Sequence, residues 1–222
     1  NDAMVTEEGM RDTVRHVLLP LWNSWYFLTL YANAAEYQGT VRTDSPNVLD
    51  RYLLAKTHDL VVDLTASMDG YDLFGASQLV RDHLDVVTNW YVRRSRDRFW
   101  EGDVDAIDTM HTAMSVLMRL TAPLLPMISE VIYDGLHSAA GSPAGSVHLT
   151  DWPTPDEVPA DPDLVSTMDL VRDVCSATLS VRKAHQRRVR LPLRSVTVKV
   201  TVFAPRSAMA STDSRYRGRS LM

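Results

Sequence analysis

The stretch SPNVLDRYLLAKTHDLVVDLTASMDG, Ser45 to Gly70, decides the fold. Leu49, Leu53, Leu60, Leu64 and Met68 recur in it at the spacing of a single helix face, and helical rather than strand periodicity makes the segment one long amphipathic helix. Ser45 suits the N-cap and Pro46 the first helical position, where a missing N–H costs no hydrogen bond. Asp69-Gly70 is the expected stop.

The same period extends in both directions. Upstream, Met10, Val14, Val17, Leu18, Leu21, Trp25, Leu28 and Ala32 predict a first helix from Thr6 to Ala35, bent where Pro20 removes one backbone bond. A loop from Tyr37 to Asp44 joins it to the second helix. Downstream, Asp72 caps a third helix, Leu73 to Phe99, with Leu79, His83, Val86, Val87 and Trp90 facing inward. Gly102-Asp103 separates this from a fourth, on which Ile107, Met110, Met114, Leu117 and Thr121 share a face before Pro123 and Pro126 break the pattern. A short helix follows, Met127 to Leu136. The Ala, Gly, Ser and Pro-rich segment from Ser138 to Pro159 reads as an irregular excursion in which SVHLTDWP runs extended. Asp161-Pro162 opens a last helix with Leu164, Met168, Val171, Cys175 and Thr178 as its stripe. After Arg190 the alternating SVTVKVTVF is a strand signal, and the final ASTDSRYRGRSLM carries no period and reads as disordered. The expected fold is all-α, an antiparallel helix bundle over residues 1–190 with a short C-terminal β-strand segment or tail over residues 191–222.

With 222 residues, 45% apolar and 23% charged, the chain has ordinary globular composition and enough length for one substantial core. Its net charge of −5 conceals a division. Residues 1–173 hold 12 Lys+Arg against 27 Asp+Glu, a balance of −15, whereas residues 174–222 hold 11 against 1, a balance of +10. A block of one sign faces a polyanion or marks a tail. The single cysteine, Cys175, rules out an internal disulfide framework and reads as a buried thiol. The uncharged run from Val17 to Ala35 raises the question of a membrane span, but Pro20, Asn23, Ser24, Thr29 and Asn33 interrupt it, so a buried helix and no membrane association are expected.

No glycine-rich phosphate loop, nucleophile elbow or His/Cys pair at metal-ligand spacing occurs, so neither a catalytic residue nor a metal site is expected, and the seven scattered histidines read as surface or satisfied core residues. The chemistry lies in cations. NWYVRRSRDRFW, Asn89 to Trp100, sets four arginines among aromatic rings. Extending the inward stripe by three and four brings Arg94, Asp97 and Arg98 toward the bundle or its margin, where Arg94 and Asp97 can pair. Arg93, Arg96 and Trp100 fall on another side, where guanidinium and indole groups suit phosphates and unstacked bases. A second run, RKAHQRRVRLPLR from Arg182 to Arg194, complements the helix dipole but holds more charge than capping needs, which makes Lys183, Arg187, Arg188 and Arg190 candidates for phosphate contact.

LPLWNSWYFLTLYANA, DRYLLAKTHDLVVDLTASMDGYD, NWYVRRSRDRFW, TAPLLPMISEVIYDGL and SVHLTDWP, in this order, resemble the anticodon-binding helical domain of the isoleucyl-tRNA synthetase family, class I aminoacyl-tRNA synthetases, over about residues 5–195. The arginine-rich block is the most specific element, since the valyl and leucyl families share the bundle but usually lack it. The resemblance implies a bundle packed below a nucleotide-binding catalytic domain that grips the anticodon stem and loop of isoleucine tRNA. It also implies that ATP and Mg serve the parent enzyme and not this chain, because the HIGH and KMSKS motifs of that catalytic domain do not occur here. The chain then reads as a cytoplasmic, monomeric, non-catalytic piece of an ATP-dependent isoleucine–tRNA ligase. The competing readings are a structural helical module that contacts protein partners, favoured by the acidic portion, a membrane-surface protein using its basic end, and the equivalent domain of a valyl or leucyl enzyme.

Overall fold

The computed structural model describes residues 6–138, 145–188, 195 and 197. It divides into two compact units, Asn1–Leu170 and Val171–Met222. The first is a helix bundle. Helix α1 (Glu7–Thr13), a π-helical turn (Val14–Leu18) and α2 (Leu19–Ala34) run on as one helical stretch, close to the expected bounds. Thr6 caps it by accepting from the Gly9 N–H at 3.1 Å. The wide turn lies directly ahead of Pro20, where the Leu19 N–H reaches back to the Val14 carbonyl, so the backbone is already off the α-helical ladder at the residue that cannot donate. Val17, Leu21, Ser24, Leu28 and Ala32 face the core, whereas Met10 and Val14, expected in the stripe, are exposed.

Helix α3 (Val48–Asp69) begins two residues later than its sequence signals suggest. Asn47 is the N-cap, accepting from the Leu49 N–H at 2.9 Å. Ser45 has another task, donating its hydroxyl to the buried Asp50 carboxylate at 2.6 Å. At the other end the helix stops at Asp69 as expected, yet the residue in left-handed conformation is Tyr71 (φ 57°), not Gly70. The Asp72 N–H bonds to Ser67 O and the Tyr71 N–H to Met68 O, the paired bonds of a Schellman ending. Glu36 after α2, Gly102 and Gln186 end their helices in the same way.

Helix α4 (Leu73–Asp85), a second π-helical segment (Val86–Val92) and α5 (Arg93–Trp100) form the third rod, capped by Asp72 as predicted. His83, Val86, Val87 and Trp90 are buried on it. Helix α6 (Val104–Thr121) is the centre of the unit: every residue from Ala106 to Met118 is buried, which fits a helix packed on all sides by α2, α3, α5 and α7 (Pro126–His137). An edge-to-face contact of Phe27 with Phe99 at 4.9 Å joins α2 to α5.

The loop between α2 and α3 has no regular structure of its own and is held by polar side chains of α6. Asp108 accepts from the Tyr37 hydroxyl at 3.0 Å and from the Thr40 N–H at 2.7 Å, Thr112 bonds the Arg42 backbone, and the Arg42 guanidinium pairs with Asp44 and Asp105. Gly39 allows this approach, since a Cβ there would lie 2.9 Å from the His111 Cβ. The segment from 145 to 159 is irregular as expected, but SVHLTDWP is not extended throughout: single 3-10 turns lie at Val147–Leu149 and Pro155–Glu157. Trp152 Nε1 donates to Thr65 Oγ1 at 2.8 Å, and Arg119 pairs with Glu157.

Helix α8 (Pro162–Ala184) opens after Asp161, whose carboxylate accepts from the Leu164 N–H at 3.2 Å. Within the first unit its Asp169 is met by Tyr52 and Lys56 of α3. The expected stripe of α8 is not buried: Leu164, Met168, Cys175 and Thr178 are half-buried and Val171 is exposed. The strand expected in SVTVKVTVF and the tail ASTDSRYRGRSLM lie outside the described residues, apart from Ser195 and Thr197. Among the described residues no helix is long and apolar enough to cross a membrane.

Candidate nucleic-acid interface

The arginine-rich helix is set in place by one buried carboxylate. Asp50, in the first turn of α3, is fully buried and accepts four hydrogen bonds. Arg98 Nη1 and Nη2 bind its two oxygens at 2.6 and 2.8 Å, the Tyr91 hydroxyl donates to Oδ1 at 2.8 Å, and the Ser45 hydroxyl donates to Oδ2. Arg98 Nε continues to Asp103 Oδ2 at 2.8 Å. Four donors on two oxygens meet the full acceptor capacity of a carboxylate, and the forked contact is the strong form of an arginine–carboxylate pair. Hydrogen bonding to Asp50 raises the Arg98 pKa still further, so that guanidinium stays charged. Burial, then the Asp50 charge, raises Tyr91 well above the ordinary phenol value and keeps it a donor. Partial burial opposes ionisation of Asp103, but the Arg98 hydrogen bond and backbone N–H groups outweigh it and hold its pKa low.

Arg98 thus points into the bundle, as the extended stripe suggested. The expected inward facing of Arg94 and Asp97 is overturned, because both side chains are exposed. The cause is the π-helical segment just before them. Its wider turns take up extra residues, so the buried positions move from Val87 and Trp90 to Tyr91, Ser95 and Phe99, and a face extrapolated at 3.6 residues per turn lands on the wrong side chains. Arg94 instead lays its guanidinium on the Trp90 ring, 3.2 Å from the ring centroid.

Arg93, Arg96 and Trp100 fall at i, i+3 and i+7 of α5 and share its outer face. All three are exposed, Trp100 by 79%, and neither arginine forms a hydrogen bond or ion pair with a described residue. Two uncommitted cations beside an open indole are chemically suited to phosphate contact and base stacking.

The second cluster belongs to the second unit. Lys183, Arg187 and Arg188 are exposed, and Arg190 lies outside the described residues. The helix ends at Gln186 (φ 52°), where the Arg187 N–H bonds to Arg182 O at 2.8 Å and Arg182 Nη2 donates to Arg188 O at 2.7 Å. Arg187 and Arg188 therefore follow the helix end and are not part of its last turn. No group of three His, Cys, Asp or Glu that could hold a metal ion occurs among the described residues. His83 and His111 are core histidines as expected, but not fully satisfied ones: His83 Nε2 and His111 Nδ1 have no hydrogen-bond partner among the described residues.

Residues 50–198 match the family model described as the anticodon-binding domain of tRNA ligase. Over 199 residues the chain is 57% identical to the isoleucine–tRNA ligase of Mycobacterium tuberculosis strain H37Rv, which covers 90% of this chain and 18% of that protein. It is 55% identical over 197 residues to the isoleucine–tRNA ligase of Nocardia farcinica, covering 89% of this chain and 18% of that protein. For the enzyme of Corynebacterium diphtheriae the identity is 53% over 210 residues, covering 93% and 19%. The chain spans less than a fifth of the length of these curated relatives. Match, coverage and helical architecture agree: this chain belongs to the anticodon-binding domain family of tRNA ligases.

Proposed function

We propose that this chain is the RNA-gripping segment of a longer isoleucine–tRNA ligase and that it binds the anticodon stem and loop of isoleucine tRNA. The observation that carries the reading is the outer face of α5, where Arg93 and Arg96 stand exposed and unpaired to described acids beside the open Trp100 ring. In this reading Arg93 and Arg96 meet phosphates and Trp100 stacks on a base. Lys183, Arg187, Arg188 and Arg190 form a further phosphate-facing set. Ligation of isoleucine, with ATP and Mg, belongs to the remainder of the parent enzyme, and this chain alone activates no amino acid. The exposed apolar side chains Leu19, Trp22, Tyr26 and Leu30 on one side of α2 favour contact with a protein surface as well, which in the parent is its catalytic domain. The protein acts in the cytoplasm as a monomer.

Titration of isoleucine tRNA at several salt concentrations tests the reading. The Arg93→Ala, Arg96→Ala double variant should melt as the parent chain does, since exposed charges contribute only about 0–1 kcal/mol. Its affinity should fall, and the slope of log affinity against log salt should flatten by about 1.5 units for two lost phosphate contacts. Unchanged affinity and slope would remove this face from the interface.

A further inference from the structure

We propose that Arg98 is a positioning residue for RNA binding: it makes no contact with the nucleic acid and instead holds Arg93, Arg96 and Trp100 at the angle from which they do. The inference rests on the tRNA binding proposed for the outer face of α5. Arg98 lies two residues after Arg96 and two before Trp100 on the same short helix, so what fixes its direction fixes theirs. Its side chain is only 18% exposed. Nη1 and Nη2 bind Asp50 in the first turn of α3. Nε binds Asp103 Oδ2, while Asp103 Oδ1 accepts from the Asp105 and Ala106 N–H groups and caps α6. The guanidinium thus braces α5 against the beginnings of two other helices.

Apolar packing alone gives α5 a weak hold. Of its eight residues only Ser95 and Phe99 are buried. Burial is non-directional, and one large ring leaves rotation about the helix axis loosely set. A planar fork on a fully buried carboxylate is directional and sets that rotation. The tolerance is small: a turn of about 20° moves groups ~6 Å from the helix axis by ~2 Å, enough to break a hydrogen bond to phosphate.

The test sets Arg98→Lys beside Leu64→Ala. Arg98→Lys keeps the charge and loses the fork, and one ammonium does not reproduce the geometry that spans both Asp50 oxygens and Asp103. Leu64 is fully buried in α3, about 21 Å along that helix from Asp50, so its truncation lowers stability without touching α5. Isoleucine tRNA is titrated at several salt concentrations, at a temperature where circular dichroism shows each variant folded. Arg98→Lys should bind roughly ten-fold more weakly with a flatter salt slope, because Arg93 and Arg96 no longer reach their phosphates together. Leu64→Ala should melt lower yet bind as the parent chain does. In the Arg93→Ala, Arg96→Ala background, Arg98→Lys should cost about three-fold at most, since only Trp100 is left to position. Parent-like affinity and salt slope in folded Arg98→Lys overturn the proposal. So does an equal loss in Leu64→Ala, which makes the effect one of stability, or a full ten-fold loss on top of the double variant, which makes Arg98 a direct contact. If Arg98→Lys does not fold, Asp103→Asn takes its place with the same expected and contrary outcomes, because it keeps a side chain able to cap α6 and weakens the Arg98 Nε contact. Failure of the parent chain to bind isoleucine tRNA overturns instead the RNA-binding reading on which the proposal rests.

Discussion

Asp50→Ala should lower the stability of the chain by about 3–5 kcal/mol, seen as a shift of the urea midpoint with an unchanged slope. The substitution removes the acceptor of four hydrogen bonds at once and leaves Arg98, whose side chain is only 18% exposed, with a single carboxylate partner in Asp103. The buried Tyr91 hydroxyl retains only the longer contact to the Ala106 carbonyl at 3.2 Å. Most of the cost is the desolvation of a cation left without its main counter-charge, not the net worth of the pair. A loss below about 1 kcal/mol would mean that Arg98 swings out to water and that α5 is not fixed through this carboxylate.

Acid should weaken the fold earlier than its carboxylates alone require. Burial, with Lys56 as a lesser cause, lowers the His83 pKa from 6.5 to about 3. Burial, then His111 and Arg119, lowers His137 to about 4. Burial also lowers His111 against the opposing pull of its Leu136 carbonyl contact. Each folded-state value lies below the unfolded one, so the unfolded chain takes up the protons first. Stability is then full above pH 6.5, falls as pH drops below it, and levels for each group only near its folded value. His83 alone contributes a slope of about 1.4 kcal/mol per pH unit in that window. Urea unfolding at pH 7.0, 6.0 and 5.0 reads the slope, and His83→Gln should remove about one proton from it. A pH-independent midpoint over this range would contradict the buried, neutral state of His83.

What the sequence disclosed and what it hid follow from distance along the chain. Helix existence rests on local period and capping, so the third rod from Leu73 and its Asp72 cap were legible, as was the stripe of α6. Helix starts were less so: Asp44-Ser45-Pro46-Asn47 holds several capping side chains, and Ser45 is drawn away by Asp50, a contact no local pattern encodes. The left-handed residue after α3 is likewise Tyr71 beside an available glycine, because the Schellman bonds fix which position must turn. Two features escaped altogether. The π-helical segment Val86–Val92 leaves no mark in the local pattern, yet it shifts the phase of the helix that follows, so that Tyr91, Ser95 and Phe99 turn inward and Arg94 does not. The Asp50–Arg98 pair joins residues 48 apart, and a lone acid in a helix's first turn reads as an ordinary dipole partner. The outer face of Arg93, Arg96 and Trp100 remained legible because i, i+3 and i+7 lie within one unbroken stretch of α-helix.

The central claim, that the outer face of α5 meets the anticodon loop, is tested most directly by a photo-cross-linking residue at Trp100. p-Benzoylphenylalanine there should cross-link isoleucine tRNA, with the adduct mapping to the anticodon loop and the yield falling as salt rises, while the same group at the exposed Val62 of α3 should give little product. Adducts in the acceptor arm, or equal yields from positions 100 and 62, would contradict the account.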